Sequence, residues 1–344
     1  MLALGCTPDL PTETAVPDPV YARGGKVPPA YTSIDFGQLL GGVSSWANAV
    51  NDAGEIVGAS NGSGGFAVTG GTLALLPGDE VDVLAISSGT PRYVVGWGGA
   101  PSQPMRWVIT NGQPSQAELL QPGDTTWGTA LGVNDAGATV GSAGSYAAMW
   151  NPDGSVALTF KVAGFRRGEG RDINNAGHGV FLFFGPGADW ETARGYVRLA
   201  SGQLVLLPPL AGDVSTYVND VSEVVNDAIH IAGSSRATPE DFRGVRWTVN
   251  VTTGAITGTE IRSENSHSLG VSNGGAVAGF IEGVASSLAF KAFLWRGSEF
   301  LSLNPPKSTK NPKAWGISPS GEFVAGEAYS GTQRHAVRWT ILAP

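Results

Sequence analysis

Four histidines, a single cysteine and 29 acidic side chains are the groups in this 344-residue sequence from which an active centre could be built. Their spacing argues against most such centres. His178, His230, His267 and His335 stand far apart, and no pair has the His-x-x-x-His spacing that aims two imidazoles at one metal. Cys6 is the lone cysteine, so it has no partner for an internal disulfide, and its place near the N-terminus removes it from any folded site. Glycine-rich stretches such as Gly96-Trp97-Gly98-Gly99 precede no helical pattern and do not read as phosphate loops. Carboxylates do cluster, at Asp79-Glu80-Val81-Asp82, Glu169-Gly170-Arg171-Asp172, Asp189-Trp190-Glu191 and Glu240-Asp241. Paired carboxylates can act on glycosidic bonds, and a glycan-active hydrolase or lyase would draw on Glu169, Asp172 and His267. Solvated loop charge is the plainer reading. No catalytic residue, metal or cofactor is assigned.

The elements that would position these groups are written in a repeat. Ala49-Val50-Asn51-Asp52-Ala53-Gly54-Glu55-Ile56-Val57-Gly58 returns as Gly132-Val133-Asn134-Asp135-Ala136-Gly137-Ala138-Thr139-Val140-Gly141. Looser copies follow at Ile173-Asn174-Asn175-Ala176-Gly177, Val225-Asn226-Asp227-Ala228, Val271-Ser272-Asn273-Gly274-Gly275 and Ile317-Ser318-Pro319-Ser320-Gly321, and a worn one at Ala85-Ile86-Ser87-Ser88-Gly89. Asn and Asp bond their own backbone in turns and Gly accepts positive φ, so each copy predicts a hairpin. The turn residues Asn51, Ser87, Asn134, Asn174, Asn226, Ser272 and Ser318 are spaced by 36, 47, 40, 52, 46 and 46. After each copy comes a second strand pair, such as Lys291-Ala292-Phe293-Leu294-Trp295 with Phe300-Leu301-Ser302-Leu303. Two hairpins in a period of forty-odd residues, with no helical pattern, predict the blades of a β-propeller.

The last copy reaches Arg334-His335-Ala336-Val337-Arg338-Trp339 without an outermost strand, and an orphan strand, Tyr31-Thr32-Ser33-Ile34-Asp35-Phe36, precedes the first copy. Pairing the two completes the last blade and removes an exposed sheet edge. The expected fold is therefore all-β: a seven-bladed β-propeller over residues 31–344, four antiparallel strands per blade, closed by an N-terminal strand. A propeller grows by adding blades, so one domain of this length is reasonable.

The paired pattern, Ala-Val-Asn-Asp-Ala-Gly-Glu-Ile-Val-Gly followed by Ala-Phe-Leu-Trp and a Leu-rich strand, resembles the HAF-type extracellular repeat family of bacteria. Of its His-Ala-Phe triplet this chain keeps Ala292-Phe293 and His335-Ala336. The resemblance implies a secreted or surface-anchored propeller and supplies no catalytic residues. Met1-Leu2-Ala3-Leu4-Gly5-Cys6 resembles the end of a bacterial lipoprotein signal in which Cys6 is lipidated. The basic region and most of the apolar core of such a signal are missing, as a start codon placed too late would explain. Residues 7–30, rich in Pro, Thr and acids, read as a disordered tether between residues 1–6 and the propeller. No run of eighteen apolar residues occurs, so membrane association is expected only through the lipid. A formal net charge of −8 argues against nucleic acid. The reading is a monomeric, extracytoplasmic recognition or adhesion module with a glycan or surface protein as partner.

Within the repeat, the residue before each turn is always Val or Ile, as packing between blades requires. Five before the turn residue the side chains diverge: Trp46, Asp82, Thr129, Glu169, Val221, His267 and Lys313. Three before, Asn48, Arg171, Glu223 and Trp315 appear among leucines. If these lie on the innermost strands they ring one mouth of the channel, and Trp46, Asp82, Glu169, His267, Lys313 and Trp315 are the candidate binding residues. Trp107, Trp150, Trp247, Trp295 and Trp339 recur on the third strand and read as packing. Trp46, Trp97, Trp127, Trp190 and Trp315 do not recur, and aromatic platforms suit sugar rings.

Overall fold

The computed structural model describes residues 14–15, 30–121, 125–262, 265–283, 289–297 and 299–342. Seven antiparallel sheets follow one another around a ring, giving a seven-bladed propeller in which each blade runs from an innermost to an outermost strand. The innermost strands are Ser45–Val50, Asp82–Ile86, Gly128–Val133, Arg167–Ile173, Ser215–Val221, Ser266–Val271 and Lys310–Ile317. In blade 2 the outermost place is divided between Gln113–Pro114 and Glu118–Leu119. The only helical elements among the described residues are single turns at Leu39–Gly41 and Asp189–Thr192.

Closure is as expected. Tyr31–Gly37 pairs with Gln333–Ile341 as the fourth strand of blade 7, and the buried Tyr31 hydroxyl accepts the Asn304 amide at 2.8 Å. Thr14–Ala15 pairs outside this strand, opposite Ser33 and Thr32, so the stretch read as a tether makes one backbone pairing. Cys6 and the rest of residues 7–29 lie outside the described residues.

The repeated letters have two physical jobs. The first belongs to the turns, which bond to one another around the whole ring. Asp52 N donates to Ser88 Oγ, Gly89 N to Asp135 Oδ1, Asp135 N to Asn175 Oδ1 and Asn175 N to the Glu223 carboxylate. Glu223 N donates to Asn273 Oδ1, Asn273 N to Pro319 O, and Ser320 N to Asp52 Oδ1, which closes the circle. A deeper set lies beneath: Asn51, Asn134 and Asn174 each send Nδ2 to the backbone carbonyl of the next blade's turn residue.

The second job belongs to the Arg-Trp pairs of the third strands. Trp107, Trp150, Trp247 and Trp339 reach back, donating Nε1 to the carbonyls of Pro77, Gln121, Pro208 and Asn304 in the link entering their own blade. Arg106, Arg246 and Arg338 reach forward, donating Nη1 to the carbonyls of Gly137, Gly275 and Gly54 in the next blade's turn. All five recurrent tryptophans are buried, so the packing reading holds.

One register assignment is corrected. The turn residue of blade 5 is Ser222, not Asn226: Ser222 N bonds His230 O, and Ser222 O accepts Asn174 Nδ2. This turn is longer than the others and carries at its tip a smaller reversal, Val225 to Ala228, where Asn226 and Asp227 both have positive φ. The tip copies the repeat's letters because both are tight turns. Val225 is exposed there, whereas Val221, placed by sequence among the variable mouth positions, is the buried residue before the turn. The mouth position of blade 5 is Tyr217, and Asn219 replaces Glu223 three before the turn residue.

Candidate functional site

Every innermost strand carries an irregularity at the same place. The register shifts across Asn48, Leu84, Leu131, Arg171, Asn219, Leu269 and Trp315, the residue three before the turn. A bulge bends its strand and re-aims one side chain; here all seven turn toward the axis. It also crowds the second strand. A Cβ on Gly58, Gly96, Gly141, Gly233, Gly279 or Gly326 would sit about 2 Å from the carbonyl of the residue five before the turn, which is why the repeat ends in glycine. Blade 4 inverts the arrangement: Phe181 stands at the glycine place and Gly170 lies opposite it.

The seven re-aimed residues line a cavity of about 380 Å³ at the turn end of the channel. Leu84, Leu131 and Leu269 give apolar wall and Trp315 an indole, while Asn48, Arg171 and Asn219 supply polar groups. Asn48 Nδ2 is held by Val83 O at 2.7 Å and Asn219 Nδ2 by Ser268 O at 2.9 Å, so each amide is fixed to the next blade. Arg171 pairs with Glu169 at 3.0 Å.

Asp172 and Asp220, one residue beyond the bulge in blades 4 and 5, also line this cavity. Asp172 Oδ2 accepts Val221 N at 3.1 Å and Asp220 Oδ2 accepts Val271 N at 2.7 Å. The two carboxyls also bond each other. Burial, and for Asp172 the neighbouring Asp220 charge, push both above the usual carboxylate range, Asp172 well above it. Each retains some surface toward the channel, yet protein surrounds it on the other sides, so desolvation dominates. A hydrogen bond between two carboxyls needs a proton on one of them, and the upward shift of both favours that state. Hydrolytic carboxyl pairs stand about 5–9.5 Å apart to admit the anomeric carbon or a water, and carboxyls bonded to each other lack that gap.

Of the six residues singled out from sequence, only Trp315 lines this cavity. The others lie two residues earlier on their strands, nearer the opposite end of the channel. Lys313, His267 and Trp315 meet around Phe280: Lys313 Nζ is 3.7 Å from the centre of the Phe290 ring, and the His267 ring lies 4.5 Å from Phe280 and 4.2 Å from Phe242. Lys313 and Arg334 both approach the buried Glu327, at 3.8 and 3.4 Å, and Arg334 covers Trp46 at 4.0 Å. This is cation–aromatic mortar between blades. Burial above all, with Arg236 and Lys313 nearby, lowers the His267 pKa to about 4. Glu282, 3.7 Å away, would hold a proton on the ring, but it is partly exposed to solvent and the burial of the imidazole outweighs it. Asp82 accepts Asn48 Nδ2 at 3.4 Å, and burial raises its pKa despite Val83 N, Asn48 and Arg334. Glu169 stands apart from these with Arg171.

Sequence reasoning missed the carboxyl pair because Asp220 was hidden by the misplaced turn of blade 5. It also passed over Gly58-Ala59-Ser60-Asn61-Gly62, which has the letters of a nucleophile elbow. Ser60 ends a strand in a hairpin, is buried, and gives its hydroxyl to Leu39 O at 2.7 Å, so it is structural. Among the described residues no three His, Cys, Asp or Glu side chains converge on a metal position. No helix among them is long and apolar enough to cross a membrane.

No family model and no curated protein matches the chain. Solved structures do. The extracellular domain of a protein described as a one-component system from B. thetaiotaomicron aligns at TM-score 0.53 and 11% identity, over 88% of this chain and 39% of that one. A subtype N11 neuraminidase-like protein of the H18N11 strain from a flat-faced bat aligns at TM-score 0.50 and 11% identity, over 88% and 98%. At such identity these similarities define the class, a β-propeller, and nothing finer.

Proposed function

We propose that the propeller is a non-enzymatic recognition module whose channel cavity binds a small hydroxylated ligand, such as the terminal residue of a glycan. The observation that carries this is the company Trp315 keeps. Seven bulges bring an indole, three leucines, two pinned amides and an arginine to one cavity of sugar-residue size, where the Asp172–Asp220 carboxyl pair joins them. Apolar wall with a few fixed polar groups is the composition of a small-molecule site. An indole supplies the flat apolar face that a sugar ring stacks on.

The cell address belongs to the same proposal. A propeller of HAF-type repeat held outside the cytoplasm, by a lipid on Cys6 or by secretion, would meet glycans and surface proteins as its partners. Its acidic charge disfavours nucleic acid. The hydrolase or lyase reading is weakened by the direct bond between Asp172 and Asp220.

A glycan array probed with the full chain, with Trp315→Ala and with Trp46→Ala tests the reading. Binding that Trp315→Ala abolishes and Trp46→Ala retains supports the channel cavity. Binding lost only in Trp46→Ala moves the site to the opposite mouth. Silence across the array removes the glycan from the proposal.

A further inference from the structure

The internal repeat allows two of the three recurrent third-strand arginines to be compared. Arg106 and Arg246 occupy the same place in blades 2 and 5, each before a buried Trp and each giving Nη1 to the next turn's glycine carbonyl. Around Arg106 the guanidinium is fully used. Nε and Nη2 hold the Glu118 carboxylate at 2.9 and 2.7 Å, and Nη2 also reaches Pro152 O at 2.6 Å. Glu118 is the residue directly opposite Arg106 on the outermost strand.

Around Arg246 that counter-ion is absent. The residue opposite is Thr259. Only Nη1 has an acceptor among the described residues, and Nε is buried without one. The guanidinium stacks 4.8 Å from the centre of the Trp295 ring, and burial depresses its pKa below the ordinary arginine value. A half-buried cation without its anion is a costly arrangement that an incoming carboxylate relieves.

Space for one exists. Arg246 opens into a cleft of about 530 Å³ between the turns of blades 6 and 7. A second cation, Arg296, lines it, and its side chain has no ion pair or hydrogen bond among the described residues. The cleft is far larger than a carboxylate alone, and Ser272, Ser320 and the backbone of its glycine turns add neutral polar groups beside the two arginines. Glu322 sits exposed at the same cleft and opposes a highly charged anion.

We propose that the Arg246–Arg296 cleft binds the carboxylate of a small hydroxylated acid of the uronic acid class, the guanidinium of Arg246 taking from the ligand what Arg106 takes from Glu118. The cleft lies between blade turns and shares no lining residue with the channel cavity.

Titration calorimetry at matched ionic strength tests it, with glucuronate, glucose, acetate and inorganic phosphate as probes. The proteins are the full chain, Arg296→Gln, Thr259→Glu and Trp315→Ala. Among the described residues the Arg296 side chain has no hydrogen bond or ion pair to lose, so its variant is expected to fold. Thr259→Glu restores to blade 5 the carboxylate that blade 2 already carries. Glucuronate is expected to bind and glucose not, with affinity reduced at least about fivefold by Arg296→Gln, abolished by Thr259→Glu and kept by Trp315→Ala. Phosphate or acetate binding as tightly as glucuronate overturns the ligand class. No glucuronate heat, or binding indifferent to both cleft variants, overturns the site.

Discussion

Asn174 and Asn175 allow burial to be weighed with the number of bonds held constant. Each side chain makes two hydrogen bonds that tie its turn together or link it to a neighbouring blade. Asn174 gives Nδ2 to Ser222 O at 2.8 Å and takes His178 N on Oδ1 at 2.9 Å, both out of contact with water. Asn175 gives Nδ2 to Asp135 Oδ2 at 2.8 Å and takes Asp135 N at 2.7 Å, both at the surface. In Asn174→Ala the Ser222 carbonyl and the His178 amide are left buried and unpaired, so lost bonds and desolvation together cost about 2–4 kcal/mol. In Asn175→Ala water takes both places, and the cost is about 1 kcal/mol or less. For a chain of this length about 1.5 °C of melting temperature corresponds to each kcal/mol. Thermal melts followed by circular dichroism should fall by about 3–6 °C for Asn174→Ala and by about 1.5 °C or less for Asn175→Ala. Equal shifts, or a larger one for Asn175→Ala, would refute the reasoning that the buried turn bonds outweigh the exposed ones.

Two further outcomes concern pH. Asp172 has a raised folded-state pKa, so its contribution is fully present below the unfolded pKa near 3.8 and is lost as pH rises through the folded value. Asp172→Asn, which can still donate to Asp220 and accept from Val221 N, should match the parent in urea unfolding at pH 4 and exceed it at pH 8; a constant difference at the two pH values would sink the shared proton. His267 is shifted the other way, from 6.5 to about 4, so its contribution is present above pH 6.5 and is lost as pH falls toward 4, about 3 kcal/mol in all. His267→Phe keeps the stack between Phe242 and Phe280 and should flatten the stability profile over that interval, whereas a profile as steep as the parent's would assign the acid sensitivity elsewhere.

The fold was legible because its determinants recur. Seven turns, a third-strand tryptophan in five blades and an orphan strand at the N-terminal side of the repeats leave few architectures available. What stayed hidden was geometry shared by every copy. A bulge leaves no letter of its own, and its trace is the glycine on the neighbouring strand, Gly58 and its equivalents, which reads at first as an ordinary end to a hairpin. Without the bulge, positions three and five before the turn share a parity and are expected at one mouth. With it, Asn48, Arg171 and Trp315 line the turn-side cavity while Trp46, Lys313 and His267 pack between blades toward the other end. Blade 5 misled for a related reason, since Asn226-Asp227 at its tip satisfies the same positive-φ preference as the true turns elsewhere.

The repeated residues and those that line the proposed sites are therefore different populations, and the division has a physical cause. A ring of seven sheets holds only if every interface is made, so the residues that make interfaces are the ones that recur: the deep asparagines, the turn carboxamides and carboxylates, the Arg-Trp pairs. A bulge residue points into the channel, and although Asn48 and Asn219 also bond the next blade, Leu84, Leu131 and Leu269 stand at the same place without such a bond, so the position is free to be Asn, Leu, Arg or Trp. The same logic locates the cleft at Arg246. There the interface residue is present but its counter-ion, Glu118 in blade 2, has become Thr259. Where a repeat keeps the costly half of an ion pair and drops the half that offsets it, the missing charge is the feature to be explained, and a ligand carboxylate explains it with chemistry the chain already uses once.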